Sequence, residues 1–415
     1  MATIRPFCAI RPKKGLEERI AALPYDVYSR KEAKEKVQND EYSFLRIDRA
    51  ETQFDDSQDM YADEVYKKAH DLLWNMVKKG DFVKEDKPCY YLYELVMNGR
   101  SQTGIVGCAD VDDYQNNVIK KHENTRAEKE LDRIRHVDAL HAQTGPIFLA
   151  YRAVEELNLL VKRIQESAPL YDFTSEDGVT HRVWVIEQTS DIQTISKEFE
   201  QMNEIYIADG HHRCASAAKV SAMYRERKGT YDKSEEFNYF LSVLFPDEQL
   251  MIMDYNRVVK DLNGYSKEAL LEKFSELGQV TLLGSEAASP SKKGEVTFFI
   301  EGNWYRLIFD EKYLSDDPVE GLDVSILQNN CLSPIFGIED PKTDRRIDFV
   351  GGIRGLKELE RRVNEDCRIA FAMYPTSISE LFAVADANRL MPPKSTWFEP
   401  KLRSGLFIHD IKDNA

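Results

Sequence analysis

The sequence predicts a mixed α/β to α+β fold in more than one domain, on three observations. Short apolar runs bounded by turn residues alternate with helical patterns that carry their own start signals. The chain has 415 residues, 42% of them hydrophobic, and single cores rarely keep growing beyond roughly 250–300 residues. No repeat of 20–50 residues and no low-complexity tract is visible, which sets solenoids and disordered arms aside.

The runs that read as strands are Tyr90–Val96, Gly104–Ala109, Val183–Ile186, Ile205–Ala208, Tyr239–Phe245, Leu250–Met253 and Val296–Ile300. Helix starts are marked where Ser or Thr stands three residues before Glu, at Ser29 with Glu32, Thr125 with Glu128 and Ser377 with Glu380. In that arrangement each side chain satisfies a backbone N–H of the other. The polar stretch Lys228–Glu236 reads as an exposed connection, so a boundary is expected there. The expected organisation is a catalytic core over 1–230, an α+β accessory section over 231–338, and a C-terminal section over 339–415 that returns to the active-site cleft.

A formal charge of −16 sets up a field that repels polyphosphate chains and anionic membrane surfaces, so no nucleic-acid or membrane partner is expected. The acidity is uneven. From Glu339 onward 13 basic residues face 13 acidic ones, which leaves the deficit in the first 338 residues. The six cysteines are scattered without a C-x-x-C pair, as in a reduced cytoplasmic protein. The N-terminus lacks the apolar stretch of a signal peptide, and no run approaches the ~20 residues of a membrane span.

The segment Ile205–Ala218, IYIADGHHRCASAA, holds the most chemistry. Its order is strand, tight turn at Asp209-Gly210, then a helix opening at His211. Such a helix start points unpaired N–H groups and a positive dipole end at one spot, which suits a phosphate. Arg213 is a cation in the first turn, set against the dipole unless an anion lies between, so a bound anion explains it best. His211 and His212 are adjacent and project ~100° apart, a poor metal pair, since metals favour i, i+3 or i, i+4 spacing. They fit a ligand-contact cluster better. The plainer alternative makes Asp209 an N-cap and Arg213 a surface residue.

The string ADGHHR after a strand, with PYDV near the N-terminus, KHENT in mid-chain and MPPKSTWFEPK near the end, resembles a family long classed as a domain of unknown function. That family is related to the free serine kinases and to the ParB/sulfiredoxin fold. The resemblance runs along essentially the whole chain. It implies a ParB/sulfiredoxin-like catalytic core and phosphoryl transfer from ATP or ADP, with Mg²⁺, to free L-serine, giving O-phospho-L-serine. It also implies that Gly210, His211, His212 and Arg213 cradle phosphates and that Asp209 helps hold Mg²⁺ or serine.

Lys121–Arg126 leads into the Thr125 helix start, so Glu123 lies just outside a second positive helix end. Phosphoryl transfer needs the acceptor hydroxyl oriented and its proton taken, and a loop carboxylate can do that. In the serine kinases a glutamate ahead of the DGHHR-type motif does so, and Glu123 is the match in position. His122, Asn124 and Arg126 are its companions at the acceptor; a helix-end glutamate is the competing role. Pro24-Tyr25-Asp26-Val27 either places Tyr25 or Asp26 at the pocket rim or forms a plain turn. Gly351–Gly355, GGIRG, allows close backbone approach to a ligand but lacks the P-loop Lys and the dinucleotide-site acid. In Met391–Lys401 three prolines stiffen a loop whose Lys394, with Lys401 and Arg403 beyond it, would draw an anionic nucleotide into the cleft.

The leading function is therefore a nucleotide-dependent small-molecule kinase with serine or phosphoserine as partner, reversible in direction, in a monomer or homodimer. The alternatives are a ParB-like nucleotide-binding regulator and a metal-dependent phosphohydrolase using His122, His211, His212 and Asp209.

Overall fold

The computed structural model describes residues 1–412. It divides into two compact units, 1–250 with 400–412 of the described C-terminus, and 251–399. Fold class is as the patterning predicts, but the division differs from the three-part organisation expected above. The Lys228–Glu236 connection lies inside the first unit, because the strand that follows it, Tyr239–Pro246, pairs with Arg100–Asp110 and Ile147–Tyr151 in the middle of that unit's sheet. Residues 339–399 belong with the accessory section, since Ile347–Gly351 and Ile369–Met373 both pair with Tyr255–Val259.

The first unit is built on a nine-stranded mixed sheet. Its order is Ile119–Lys120, Ile205–Asp209, Ile147–Tyr151, Tyr239–Pro246, Arg100–Asp110, Tyr90–Met97, Thr180–Ile186 and Tyr171–Thr174, with Ile4–Arg5 also on Arg100–Asp110. Two pairings are parallel, Ile205–Asp209 with Ile119–Lys120 and Tyr239–Pro246 with Ile147–Tyr151. These central strands are apolar on both faces, as a sheet covered on both sides requires. One core joins Leu92, Ile105, Leu149, Ile207 and Phe240 to Leu157, Phe199 and Ala217 of neighbouring helices. A second core gathers Ile10, Ile20, Phe44, Leu45, Val65, Leu73 and Leu140 among the N-terminal helices. Gly107 is a packing necessity: a Cβ there would stand 2.8 Å from the Tyr90 ring.

The helix His211–Lys228 is small-sided where it meets the helix Ala127–Leu140. Cys214, Ala215, Ser216, Ala217 and Ala218 are all buried, and Ser216 Oγ donates to the Glu130 carbonyl at 3.1 Å. Small residues let two helices approach closely, so the small-residue run is explained by packing. The capping box at Ser29 and Glu32 forms. That at Thr125 and Glu128 does not: the helix begins at Ala127, and Thr125 Oγ1 instead donates to Glu130 Oε2 at 2.7 Å.

The second unit is a six-stranded antiparallel sheet in the order Gly278–Gly284, Asn303–Phe309, Glu295–Ile300, Ile369–Met373, Tyr255–Val259, Ile347–Gly351. One helix of this unit spans Lys267–Ser275, and Ser377 forms its capping box with Glu380. Here the first two GGIRG glycines have a structural cause in close packing. A Cβ on Gly351 would meet the Trp397 ring at 2.7 Å, and one on Gly352 would meet Asp254 at 2.2 Å. The stiff loop is pinned within this unit by Thr376 Oγ1, which donates to the Ser395 carbonyl at 3.0 Å, and by pairing of Trp397–Phe398 with Ile252–Met253.

Candidate functional site

The strand Ile205–Asp209 ends at Gly210, whose φ of +96° lies in the left-handed region that favours glycine. The turn delivers the chain straight into the helix at His211. The first intrahelical bond runs from the Cys214 amide to the Gly210 carbonyl at 2.9 Å. The amides of His211, His212 and Arg213 therefore precede the helical ladder and share one end of the dipole, as an anion site requires.

Arg213 folds back over this turn. A Cβ on Gly210 would lie 3.1 Å from the Arg213 Nε, so glycine is needed here for space as well as for φ. Arg213 Nη1 donates to the Pro146 carbonyl at 2.6 Å, which holds the guanidinium against the helix start rather than out in solvent. The unfavourable position against the dipole is thus maintained by packing on two sides, against Gly210 and against the Gly145-Pro146 turn. The surface-residue alternative does not describe this side chain.

Asp209 sits between cations. Its Oδ1 accepts from the Gly210 amide at 2.8 Å and its Oδ2 from Lys401 Nζ at 3.0 Å. Burial acts to raise its pKa, but Lys401 and Arg213 outweigh that and hold the carboxyl well below the usual carboxylate range. It is ionised at any physiological pH. Lys401, from the C-terminal segment that returns to the first unit, is a site residue the motif itself does not contain.

The histidines organise a loop. His212 Nε2 accepts from the Arg126 amide at 2.9 Å, and His211 Nε2 from the His122 amide at 3.4 Å. The two rings thus grip both ends of the segment His122–Arg126, with Glu123 and Asn124 between them, and each carries its proton on Nδ1 when it accepts in this way. His122 packs edge-on against His211, with ring centroids 4.4 Å apart. Burial pulls the His122 pKa down to about 4 and that of His211 well below the ordinary value, so both are neutral. Lys121 begins the same loop, and His122 is buried while Asn124 and Arg126 are exposed.

Of the sequence-predicted site residues, Glu123, Asp209, Gly210, His211, His212 and Arg213 are brought together with His122, Asn124 and Arg126 in the first unit. Lys394 is in the second unit, where its ammonium lies 5.4 Å above the Tyr255 ring and its carbonyl accepts from Arg257 Nη2 at 3.2 Å. Among the described residues no group of three or more His, Cys, Asp and Glu side chains is placed to hold a metal ion. Asp209 is the motif's one carboxylate. Mg²⁺ characteristically uses one or two carboxylates plus substrate phosphates, so this donor set fits an ion that arrives on a nucleotide.

Behind Arg213 the first unit contains a polar interior that the motifs do not announce. A cavity of about 40 Å³ touches Arg213, Thr144 and Ser404, and one of about 200 Å³ touches Arg49, Glu51, Tyr66 and Asp132. Both are walled by Tyr25, Asp48, Arg133 and His136. Tyr25 comes from the PYDV segment, so that segment lines a cavity and is more than a turn. Asp48, Arg49 and Glu51 come from one short segment, and Arg133 and His136 from the helix Ala127–Leu140, where they are spaced i, i+3 on the inward face.

A class can now be stated: a mixed-sheet protein with an anion-competent strand–glycine–helix junction flanked by a buried polar chamber. The chain belongs to the family described as "Protein of unknown function (DUF1015)", whose model matches residues 4–325. Among curated proteins none matches the sequence. Similar solved structures include SbnI with a C-terminal truncation from Staphylococcus aureus, 12% identical with a TM-score of 0.38, covering 75% of this chain and 90% of that one. A mutant of free serine kinase in complex with ADP is 13% identical with a TM-score of 0.34, covering 73% and 92%. A conserved hypothetical protein from Pyrococcus furiosus is 15% identical with a TM-score of 0.32, covering 73% and 94%. These are distant likenesses, and no residue is assigned a role from them. Among the described residues no helix is long and apolar enough to cross a membrane.

Proposed function

We propose that the chain transfers a phosphoryl group from ATP or ADP to the hydroxyl of a small metabolite, with free L-serine the first acceptor to test. The observation that carries this reading is the junction at Gly210. Three helix-start amides and the Arg213 guanidinium converge there, beside a carboxylate whose charge is balanced by Lys401. Phosphoryl transfer asks a protein mainly for positioning and for charge stabilisation, and this junction supplies both.

In this reading the amides of His211, His212 and Arg213 and the Arg213 side chain hold the transferred phosphoryl oxygens. Asp209, kept ionised and oriented by Lys401 and by the Gly210 amide, would hold the acceptor or Mg²⁺, an ion that supplies charge neutralisation on the phosphates when bound. Glu123 takes the acceptor proton as the acceptor oxygen forms its bond to phosphorus and the bond to the nucleotide's bridging oxygen breaks. The rings of His211 and His212 fix the Glu123 loop through its backbone, while their amides belong to the phosphate cradle.

The test is direct. Purified protein, Mg²⁺ and serine are incubated with ATP and, separately, with ADP, and products are read by mass spectrometry. Phosphoserine formation that is lost in Asp209→Asn supports the reading. Absence of phosphoryl transfer to serine and to a panel of small alcohols, with either nucleotide, refutes it.

A further inference from the structure

We infer that the second unit carries an oxyanion site of its own, formed by the buried Arg257 guanidinium and the ammonium of Lys394, and that its ligand is a small phosphate or carboxylate bound by charge. The inference is independent of the kinase reading, because every residue it uses lies in the second unit.

Arg257 stands on the strand Tyr255–Val259, opposite Phe349 of Ile347–Gly351, and is 3% exposed. Taking a guanidinium out of water is costly unless a counter-charge goes with it. The three other buried arginines, Arg49, Arg133 and Arg403, each lie against a carboxylate, that of Glu51, Asp132 and Asp177 in turn. Among the described residues Arg257 has none. Two of its five N–H groups find acceptors there, and both acceptors are neutral backbone carbonyls, those of Tyr255 and of Lys394, the latter at 3.2 Å. Asp254, the acid nearest in sequence, is engaged by Asn256 Nδ2. Burial pulls the Arg257 pKa down to about 10 with no acid to oppose it, so the group keeps its charge at physiological pH.

The second cation is brought to the same place by a strained turn. Lys394 has a φ of +60°, a left-handed conformation that glycine and asparagine ordinarily take. It follows two prolines, whose φ is fixed, and Ser395 Oγ closes the turn by donating to the Pro392 carbonyl at 2.7 Å. In this conformation the Lys394 carbonyl meets Arg257 while its ammonium lies 5.4 Å above the Tyr255 ring. Arg257 in turn lies 5.4 Å from the centre of the Phe349 ring. Two like charges are thus gathered in one place, and among the described residues no acid pairs with either. Backbone strain maintained in this way is characteristic of ligand clamps.

The surroundings set the class of ligand. The Phe349 and Tyr255 rings already carry the two cations, so they hold the charges in place rather than stack on a ligand. What remains on offer is positive charge and the unspent guanidinium N–H groups, which match the oxygens of a phosphate or carboxylate. Lys394 is exposed and Phe349 half-buried, so the approach lies along the outer side of the stiff loop. An oxyanion seated there supplies the counter-charge that Arg257 lacks.

The test uses the full chain and two probes, inorganic phosphate and acetate, each titrated at matched ionic strength against chloride while the melting temperature is followed. It is run in an Arg213→Ala background, which removes the contribution of the Gly210 junction. There at least one probe should raise the melting temperature in a saturable way, and which one does so tells phosphate from carboxylate. Lys394→Asn, which keeps a residue suited to the turn but removes the charge, should weaken the apparent affinity about tenfold or more when added to that background. Arg257→Met should do the same, as expected when one partner of a charged hydrogen bond is removed. Should Arg257→Met fail to fold, Lys394→Asn decides alone. No saturable stabilisation by either probe, or an unchanged affinity in Lys394→Asn, overturns the site. None of these readouts depends on turnover, so loss of the kinase reading leaves the site standing, and phosphoryl transfer without anion binding here does the reverse.

Discussion

The junction at Gly210 and the chamber behind it solve different problems with different materials. The junction is one continuous stretch, Ile205 to Ser216, and its ligand groups are largely backbone, so its shape follows from local rules about strands, glycine turns and helix starts. The chamber is assembled from Tyr25, the segment Asp48–Glu51 and the helix positions Arg133 and His136, and its wall is made of side chains that must be held from outside. A backbone cradle tolerates many phosphate-bearing ligands. A wall of buried charged side chains forms only when the whole fold brings partners together, because a buried charge is costly unless it is paired.

The comparison is broken most decisively at Glu123. If the loop gripped by His211 and His212 presents the proton acceptor, Glu123→Gln should lower kcat by about 10²–10⁴-fold with nucleotide affinity nearly unchanged, the usual size of a general-base effect. Asp209→Asn should instead raise KM for acceptor or metal along with any loss of kcat. Near-normal turnover in Glu123→Gln with a dead Asp209→Asn moves the base to Asp209.

Arg213 separates cradle from packing. Arg213→Ala should weaken nucleotide binding by about 1.5–3 kcal/mol, the range for hydrogen bonds to charged groups. The bond to the Pro146 carbonyl adds a stability loss of about 1 kcal/mol. Calorimetry and a melting curve report the two terms separately, and unchanged nucleotide affinity in a folded variant would reduce Arg213 to a packing residue.

Buried histidines give both regions one pH signature. His122 at the junction and His136 at the chamber have folded pKa values lowered to about 4, below the unfolded value of about 6.5. Between those values the unfolded chain binds more protons, so stability is present above pH ~6.5 and is lost as pH falls towards 4. The slope is on the order of 1.4 kcal/mol per pH unit for each histidine. Urea midpoints at pH 7.5, 6 and 5 should fall in that order, and a flat profile would mean that these rings are not held neutral.

The smallest effect lies outside both regions. Ser377→Ala removes the capping box of the helix Ile378–Asp386 in the second unit and should cost about 0.5–2 kcal/mol. Phosphoryl transfer should be unchanged where the variant remains folded.

The fate of the sequence expectations follows the same division between local and assembled. The strand–turn–helix at Ile205–Ala218 is legible because every rule it uses acts within five residues, and so are the caps at Ser29 and Ser377. The strand Ile147–Tyr151 escapes because IFLAY is a short apolar run without alternation, and only its place between two strands explains it. Lys401 pairs with Asp209 across 192 positions, and nothing near it points to that partner. GGIRG misleads because a glycine kept for an approaching indole and one kept for a ligand look alike in one dimension. Asp48, Arg49 and Glu51, with Arg133 and His136, carry no local signal that singles them out, and only the fold buries them together.

The central claim is phosphoryl transfer at the Gly210 junction, and one measurement reaches it most directly: mass spectrometry of serine incubated with protein, Mg²⁺ and either ATP or ADP, for wild type and Asp209→Asn side by side. The expected result is phosphoserine from at least one nucleotide with wild type and a large loss with Asp209→Asn. Phosphoserine formed equally by both proteins, or by neither with nucleotide left intact, would contradict it.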